Sequence, residues 1–308
     1  LCAECQSEYV TPDNRRFHAQ PNACPRCGPT LKLHNSEGEL IDCDDSIALA
    51  AGKIKEGYIV AIKATGGFQL VCDASNEKTL AQLRLRKQRP DKPFAVMLSN
   101  TESLRSWVTL TDSDQSLLQS PSSPIVLLPS LRTALNAKTL SGVAPNIDQL
   151  VVMLPNSPLH YLLLHAALGC PETTQWLNEP NDHIWVVTSA NISGEPLVIS
   201  NEAAFNQLNG IADFLLLHNR DILERCDDSV WQGGDKMGSA PSIIRQARGY
   251  APHKINLPFN SPPSLACGAE LKNTICLATG QQAFLSQHIG DLGQSACTEA
   301  FEHTVNHY

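Results

Sequence analysis

The start of the chain carries two Cys-x-x-Cys pairs with 18 residues between them, and their members are Cys2, Cys5, Cys24 and Cys27. Each pair can supply two sulfurs from one tight turn, and two such turns can close a tetrahedral shell around Zn²⁺ with Zn–S distances of about 2.3 Å. Pro25 and Gly28 suit a turn that needs one fixed φ and one free backbone position. The spacing therefore predicts a structural zinc site of four thiolates.

Two other uses of these cysteines remain open, a pair of disulfides and a redox-active Cys-x-x-Cys. Neither pair is followed by the strand and helix of a thioredoxin-type site. The chain has 11 cysteines, an odd number, and the other seven are scattered singly, which favours buried thiols in a reducing compartment. His18 is not expected to be a ligand, because four thiolates already fill the shell.

Composition limits the setting of the chain. With 308 residues, it is long enough for about two domains, and 42% hydrophobic and 18% charged residues are typical of globular proteins. No apolar run has transmembrane length and no signal segment is recognisable, so we expect a cytoplasmic protein without a membrane partner. A net charge of -8 disfavours stable nucleic-acid binding but leaves room for a local basic site.

Both ends of the sequence suggest that it belongs to a longer protein. The first residue is Leu1, and Cys2 already belongs to a motif. At the other end, a helix-like stretch over residues 298–308 runs to the last residue without a stop signal.

Beyond the cysteines, the pattern alternates between helix and strand and predicts an α/β fold. Asp44 and Asp45 can cap a helix that ends at Gly57, and Asn76 can cap the next helix. Further helices are predicted at 159–168 and 202–208. Predicted strands are 58–63, 68–72, 94–98, 125–128, 184–188 and 214–217. The proline-rich residues 258–264 are predicted to form a linker, followed by a new apolar unit from Cys267.

A basic stretch follows the helix capped by Asn76, with five cations in nine residues: Arg84, Arg86, Lys87, Arg89 and Lys92. Such a cluster can bind a polyphosphate, although a solvated helix face is the alternative. Two more segments could converge on an anion, residues 188–191 at a strand end and the basic loop 245–249. For Ser189 and Asn191, an ordinary turn or helix cap remains open.

Several standard motifs are absent, including the P-loop, the Gly-x-Gly-x-x-Gly fingerprint, the Gly-x-Ser-x-Gly elbow and His-Glu-x-x-His. His303 and His307 are spaced to share one helix face. An exposed helix is the preferred interpretation of that pair over a metal site.

Ordered segments along the chain resemble one family. These are RRFHAQPNACPRCGP, LRLRKQRPDKPFAVML, MLPNSPLHYLLL, VTSANISGEPL, RCDDSV, IIRQARGYAP and CGAELKNTICLATGQQAFLSQHIGDL. Together they resemble the hydrogenase-maturation carbamoyltransferase HypF family. The resemblance implies a YrdC-like twisted mixed sheet with flanking helices, preceded by a small four-cysteine zinc-finger module. It divides the chain into the finger at 1–42, the YrdC-like nucleotide-binding domain at 43–257, and a linker with the start of a carbamoyl-transfer domain at 258–308.

The resemblance also implies an activity. Carbamoyl phosphate gives carbamate, ATP with Mg²⁺ converts carbamate to carbamoyl adenylate, and the carbamoyl group passes to a HypE-like acceptor protein. A chain with this domain content is expected to catalyse the adenylation step alone. Two alternatives stay open: threonylcarbamoyl-adenylate synthesis for tRNA modification, and a non-enzymatic zinc scaffold.

Site residues follow from the same resemblance. Lys87, Arg89 and Arg245 are predicted to be catalytic. Predicted nucleotide or substrate contacts are Lys63, Lys92, Ser189, Asn191, Ser229 and Arg248. No protein nucleophile is needed, because a carbamate oxygen attacks the α-phosphorus and the protein positions charge.

At three positions the residue differs from the one typical of the family. Ala64 stands where glycine is typical, Gln69 where histidine is common, and Gln246 where a second arginine often lies. Ala64 is therefore expected to strain its turn if the backbone there has φ > 0, and Gln246 to weaken phosphate binding.

Overall fold

A computed structural model describes residues 1–131, 142–192, 194–234 and 239–308, so Ser193 of the VTSANISGEPL segment lies outside the described residues. The helices in these ranges are α1 Ala3–Val10, α2 Ser46–Lys55, α3 Glu77–Arg86, α4 Thr101–Leu104, α5 Asp112–Leu118, α6 Pro158–Ala167, α7 Asn201–Gln207 and α8 Ser295–His307. The strands are β1 Leu31–Asn35, β2 Val60–Lys63, β3 Phe68–Asp73, β4 Ala95–Met97, β5 Ile125–Pro129, β6 Gln149–Met153, β7 Trp185–Ser189, β8 Phe214–His218, β9 Val230–Gln232, β10 Ser242–Arg245, β11 His253–Cys267 and β12 Ile275–Leu285.

Ten of these strands form one mixed sheet in the order β1-β8-β2-β3-β7-β4-β6-β5-β9-β10. The pairs β2/β8, β4/β6 and β5/β9 are parallel, and the remaining neighbours are antiparallel. Strands β11 and β12 form a separate antiparallel ribbon. The mixed sheet with flanking helices confirms the predicted fold class.

The central strands of the large sheet are buried on both faces, which explains their continuous apolar sequences, whereas β10 at one edge is mostly exposed. In β2, Ala61 belongs to one core cluster, whereas Val60 and Ile62 belong to the other. Leu80 and Leu83 of α3 pack against the first face. Helices α2 and α6 cover part of the second face through residues such as Ile54 and Leu163.

Local capping signals place two helices where the sequence predicts them. The Asp45 side chain accepts hydrogen bonds from the backbone N–H groups of Ile47 and Ala48, at 2.8 and 3.0 Å. Helix α2 ends before Gly57, whose φ of 91° suits glycine. Asn76 caps α3 by accepting from the Thr79 N–H at 3.2 Å.

The proline-rich segment is not an irregular linker, so that prediction is wrong. Residues 258–264 lie within β11, which pairs with β12. The register of this pairing shifts between Asn256 and Ser261 and again between Ser261 and Ser264. Proline cannot donate to a ladder but is tolerated at bulges and edges, and a two-stranded ribbon provides both.

Strand β1 lies inside the range expected for the finger, yet it pairs with β8 of the large sheet, with Leu31 opposite His218. Among the described residues, no helix combines the length and the apolarity that a bilayer-spanning segment requires.

Candidate functional site

The four N-terminal thiols converge on one point. Their sulfur atoms all lie within 4.8 Å of one another. The Sγ atoms of Cys2 and Cys24 are 3.7 Å apart, and those of Cys24 and Cys27 are 3.8 Å apart. A regular tetrahedron with Zn–S bonds of about 2.3 Å has edges of about 3.8 Å. The residues therefore fit a four-thiolate zinc ion.

The surroundings of the cluster also favour a cation. Burial, followed by hydrogen bonding with neighbouring cysteines, raises the pKa of Cys5, which is 2% exposed. Backbone hydrogen bonds at Cys2 and Cys24 lower the pKa of Cys27 to about 6. A thiolate at the buried Cys5 would need a compensating charge, which a Zn²⁺ ion held by the four cysteines would supply.

Gly28 closes the second knuckle by close approach. Its N–H donates to the Cys24 carbonyl at 2.6 Å, and a Cβ atom at this position would lie 2.8 Å from that oxygen. Glycine is needed at this position because a side chain would not fit. Its backbone φ is not in the left-handed region, so conformation is not the reason. The Arg220 guanidinium donates to the Cys27 carbonyl at 3.1 Å and ties the finger to the residues after β8.

A second feature is a cavity of ≈ 440 Å³ on the sheet face that α2 and α6 leave partly uncovered. Its apolar floor consists of Ala95, Ile125, Leu127, Val151, Val187 and Val230. Its polar rim includes Lys87, Arg89, Lys92, Ser189, Asn191, Arg245 and Arg248. The cavity thus brings together the three segments in which the sequence predicted anion contacts.

Lys87 is buried in this rim, with 2% exposure. Its ammonium donates to the carbonyl oxygens of Ser189 and Asn191, both at 2.6 Å, and to Asn191 Oδ1 at 3.0 Å. Burial is the main cause that lowers the pKa of Lys87 to about 7. Three acceptors match the three hydrogens of an ammonium, so the Lys87 side chain carries its positive charge below a pH of about 7. A solvated helix face is therefore wrong for this residue.

The arginines of the basic stretch hold the loop after α3. Arg84 donates to the carbonyls of Gly142, Val143, Arg89, Pro90 and Lys92. Arg89 donates to the Pro93 carbonyl and lies over the Phe94 ring at 5.2 Å, and burial lowers its pKa to about 10. Among the described residues, the Lys92 ammonium is exposed and has no hydrogen-bond or ion-pair partner.

The opposite wall is built from two arginine–aspartate pairs. Arg245 contacts Asp227 at 2.8 Å, and Arg248 contacts Asp228 at 2.8 Å. Arg248 also donates to the carbonyls of Ser122 and Ser123, at 3.0 and 2.9 Å. The guanidinium groups therefore have fixed positions at the cavity edge.

Asp228 anchors a buried polar chain behind this wall. Its carboxylate accepts from Gln69 Nε2 at 2.9 Å and from Asn156 Nδ2 at 3.2 Å, in addition to Arg248. Gln69 Oε1 in turn lies 2.9 Å from His160 Nε2. Burial lowers the pKa of His160 to about 4, so its ring is neutral and its Nε2–H donates to Gln69.

Two predicted contact residues lie elsewhere. Lys63 does not line the cavity, and its ammonium lies 3.4 Å from the His218 carbonyl, at the far end of β8. Ser229 is fully buried and also outside the cavity. Its hydroxyl donates to the Arg248 carbonyl at 3.0 Å and accepts from the Ala247 N–H at 2.8 Å. A direct nucleotide contact is therefore not supported for either residue.

The departures from the family wording have structural outcomes. Ala64 is not among the described residues with positive φ, so the expected strain is wrong. Gln69 keeps a polar bridge between His160 and Asp228. Gln246 lies outside the cavity lining, and its Nε2 atom is buried without a partner.

Sequence reasoning missed several cavity residues, namely Asp227, Asp228, Asn156 and His288. The RCDDSV segment offered a signal for the aspartates, because two acids beside an arginine suggest ion pairing. The sequence carried no comparable signal for His288.

The histidine of the finger and the pair near the C-terminus are accounted for without a metal. The His18 ring stacks on Tyr9 with centroids 5.1 Å apart. His303 and His307 project from α8 and lie 3.5 and 3.2 Å from the Glu224 carboxylate.

Comparison with known proteins defines the class first. Residues 52–247 match the Sua5/YciO/YrdC family model, described as "Telomere recombination", so the body of the chain is a YrdC-like domain. Residues 1–34 match the HypF finger, and residues 259–308 match the HypF Kae1-like domain. The chain belongs to the HypF carbamoyltransferase family.

Individual relatives agree with this assignment. The carbamoyltransferase HypF2 of Cupriavidus necator is 48% identical, and the match covers 100% of this chain and 44% of the relative. A crystal structure of full-length HypF in a phosphate- and nucleotide-bound form has a TM-score of 0.86 and 41% identity over 100% of this chain and 38% of that one. The chain therefore spans less than half the length of these relatives.

A more distant relative shares only part of the chain. The threonylcarbamoyl-AMP synthase of Vibrio cholerae is 25% identical over 170 residues, which cover 53% of this chain and 80% of the relative.

Proposed function

We propose that this chain binds ATP in the cavity and forms carbamoyl adenylate from carbamate, as the adenylating part of a HypF-type carbamoyltransferase. One observation carries the proposal. The cavity unites residues 87–92, 189–191 and 245–248, in a chain whose full length superposes on a HypF structure described as phosphate- and nucleotide-bound.

The reaction requires positioning rather than a protein nucleophile. A carbamate oxygen attacks the α-phosphorus of ATP, and the bond to the bridging oxygen of the pyrophosphate leaving group breaks. Negative charge on the phosphates is neutralised by fixed cations, and ATP arrives with its Mg²⁺. The apolar floor offers a surface for the adenine ring.

The rim cations then have different roles. Lys92 and Arg89 are proposed to contact the triphosphate, and Arg245 and Arg248 the phosphate on the opposite wall. Lys87 holds Ser189 and Asn191 in place, because all three of its hydrogens are engaged by them. It contacts a phosphate only if one of these bonds is given up.

The remaining functions are proposed from the longer relatives, of which this chain covers 44% and 38%. Carbamoyl phosphate as carbamate source and a HypE-like protein as acceptor are proposed on the basis of the family. The finger is proposed to hold structural Zn²⁺. A reducing cytoplasm fits the eleven cysteines, all of which are free.

Pyrophosphate release separates the candidate functions. The purified chain is supplied with ATP–Mg²⁺ and either carbamate, generated from bicarbonate and ammonium, or threonine with bicarbonate. We expect release with carbamate and its loss in Lys92→Ala, while Lys78→Ala, an exposed residue of α3, keeps the parent rate. Release only with threonine and bicarbonate would support threonylcarbamoyl-adenylate synthesis, which the YrdC-like match keeps as second candidate. A folded chain without ATP binding would leave the scaffold interpretation.

A further inference from the structure

The cavity has a wall that comes from outside the YrdC-like match. Residues 287–291 and α8 of the Kae1-like region line it together with the sheet. Three contacts hold this wall in place. The His288 N–H donates to the Gln246 carbonyl at 2.8 Å, Cys297 Sγ donates to the Gly194 carbonyl at 3.3 Å, and His307 lies 3.2 Å from Glu224.

His288 is the residue of this wall that lies beside the rim cations. Its backbone bond to Gln246 places it next to Arg245, and His288 lines the same cavity as Lys92. Within the described ranges, its ring nitrogens have no hydrogen-bond partner. Burial, followed by Arg245, lowers the pKa of His288, whereas Asp227 and Asp291 oppose this and Lys272 adds to it.

We propose that His288 is a ligand-contacting residue of the nucleotide site, donating a ring N–H to a phosphate oxygen of bound ATP or of the acyl adenylate. The inference rests on the proposed function. It means that residues 52–247 do not complete the site by themselves, and that the Kae1-like region supplies one of its polar contacts.

A phosphate is favoured over the base as the group contacted. Arg245 lies beside His288 and Lys92 lines the same cavity, whereas the apolar floor suited to a base lies on the sheet. A bound phosphate would also favour the imidazolium form, because it adds negative charge beside a ring whose pKa burial and Arg245 lower in its absence.

The test compares ATP and adenosine affinity at pH 6 and pH 8, by calorimetric titration, in the parent chain and in three variants. These are His288→Ala, His288→Gln and, as matched control, His253→Ala, an exposed histidine at the start of β11. We expect ATP binding to weaken about three- to tenfold in His288→Ala, with a larger loss at pH 6 than at pH 8. Adenosine binding and His253→Ala should match the parent. His288→Gln, which keeps an N–H donor, should recover binding at pH 8 more than at pH 6.

Thermal unfolding of each variant confirms that it is folded. If the parent binds ATP and His288→Ala binds it equally well at both pH values, the inference is overturned while the proposed function stands. Equal losses of affinity for ATP and adenosine would also overturn it, because His288 would then affect only the shape of the cavity and would make no contact with a phosphate. A parent chain that binds no ATP would overturn the proposed function and the inference with it.

Discussion

The Lys87 ammonium lies 2.6 Å from the Ser189 carbonyl oxygen and thereby joins the end of α3 to the end of β7. The two residues are 102 positions apart in the sequence, yet this bond sets the relative position of two segments proposed to bind phosphate. The lysine therefore acts first as a positioning residue. Its positive charge acts on the cavity through Ser189 and Asn191, the two residues to which it donates hydrogen bonds.

Replacement of Lys87 by Ala should lower both stability and ATP affinity. The change removes three hydrogen bonds and leaves the partly buried Asn191 carbonyl without its donor, which costs about 1–3 kcal/mol of unfolding free energy. ATP binding should weaken about tenfold or more, because Asn191 loses the two hydrogen bonds that Lys87 donates to it. Urea unfolding and calorimetric titration measure the two effects. Lys78→Ala is the matched control on the same helix, and a Lys87→Ala chain with parental stability would contradict the bonding described.

The affinity for ATP should depend on pH above neutrality. The pKa of Lys87 is lowered to about 7, so the residue carries its charge below that pH and loses it as the pH rises. ATP binding should weaken between pH 7 and 9, by at most about tenfold per pH unit. Lys87→Met has no proton to lose, so its affinity should be lower and flatter over the same range. Parallel profiles for parent and variant would assign the dependence to another group.

Asp228 should be the most sensitive acidic residue of the wall. Asp228→Ala removes the acceptor shared by Gln69, Asn156 and Arg248, and a broken buried ion pair typically costs about 3–5 kcal/mol. Denaturant unfolding is the measurement. Asp182→Ala, an exposed aspartate, should stay within about 0.5 kcal/mol of the parent. A small effect of Asp228→Ala would mean that Arg248 finds another partner.

The finger should bind zinc in the isolated chain. Metal analysis of the parent is expected to give one zinc ion per molecule, and Cys24→Ala should lose it because three thiolates leave the shell open. Cys170→Ala removes an exposed thiol outside the cluster and should keep the metal. Unchanged zinc content in Cys24→Ala would exclude the four-thiolate site.

Local signals in the sequence predicted much of the fold. Caps at Asp45 and Asn76, and the apolar runs of the central strands, are properties of a few neighbouring residues. The proline-rich β11 escaped because its prolines lie at register shifts, which depend on a partner strand rather than on composition. The cysteine cluster could be predicted from spacing, since its geometry is contained in two local elements: the first turn of α1, with Cys2 and Cys5, and the turn of Cys24 and Cys27.

The cavity was predictable only in part. The clustered cations marked one wall, but sequence alone could not tell that Lys87 is buried while Lys92 is exposed. The sequence could not tell that Lys63, one residue before the cavity residue Ala64, lies outside the cavity lining with its ammonium near the His218 carbonyl. His288 depends on how the C-terminal region docks, which no local pattern encodes.

The pairing of β1 with β8 has a consequence for how the protein forms on the ribosome. The four cysteines leave the ribosomal exit tunnel before the strands of the sheet. They lie within residues 2–27, so the finger can bind its metal before the later strands are synthesised. The backbone N–H and C=O groups of β1 have no partner strand until Phe214–His218 has been synthesised. We expect the finger to be folded in the nascent chain while β1, which follows it, is still unpaired. Slow translation between β1 and β8 should prolong the exposure of the unpaired β1 to chaperones.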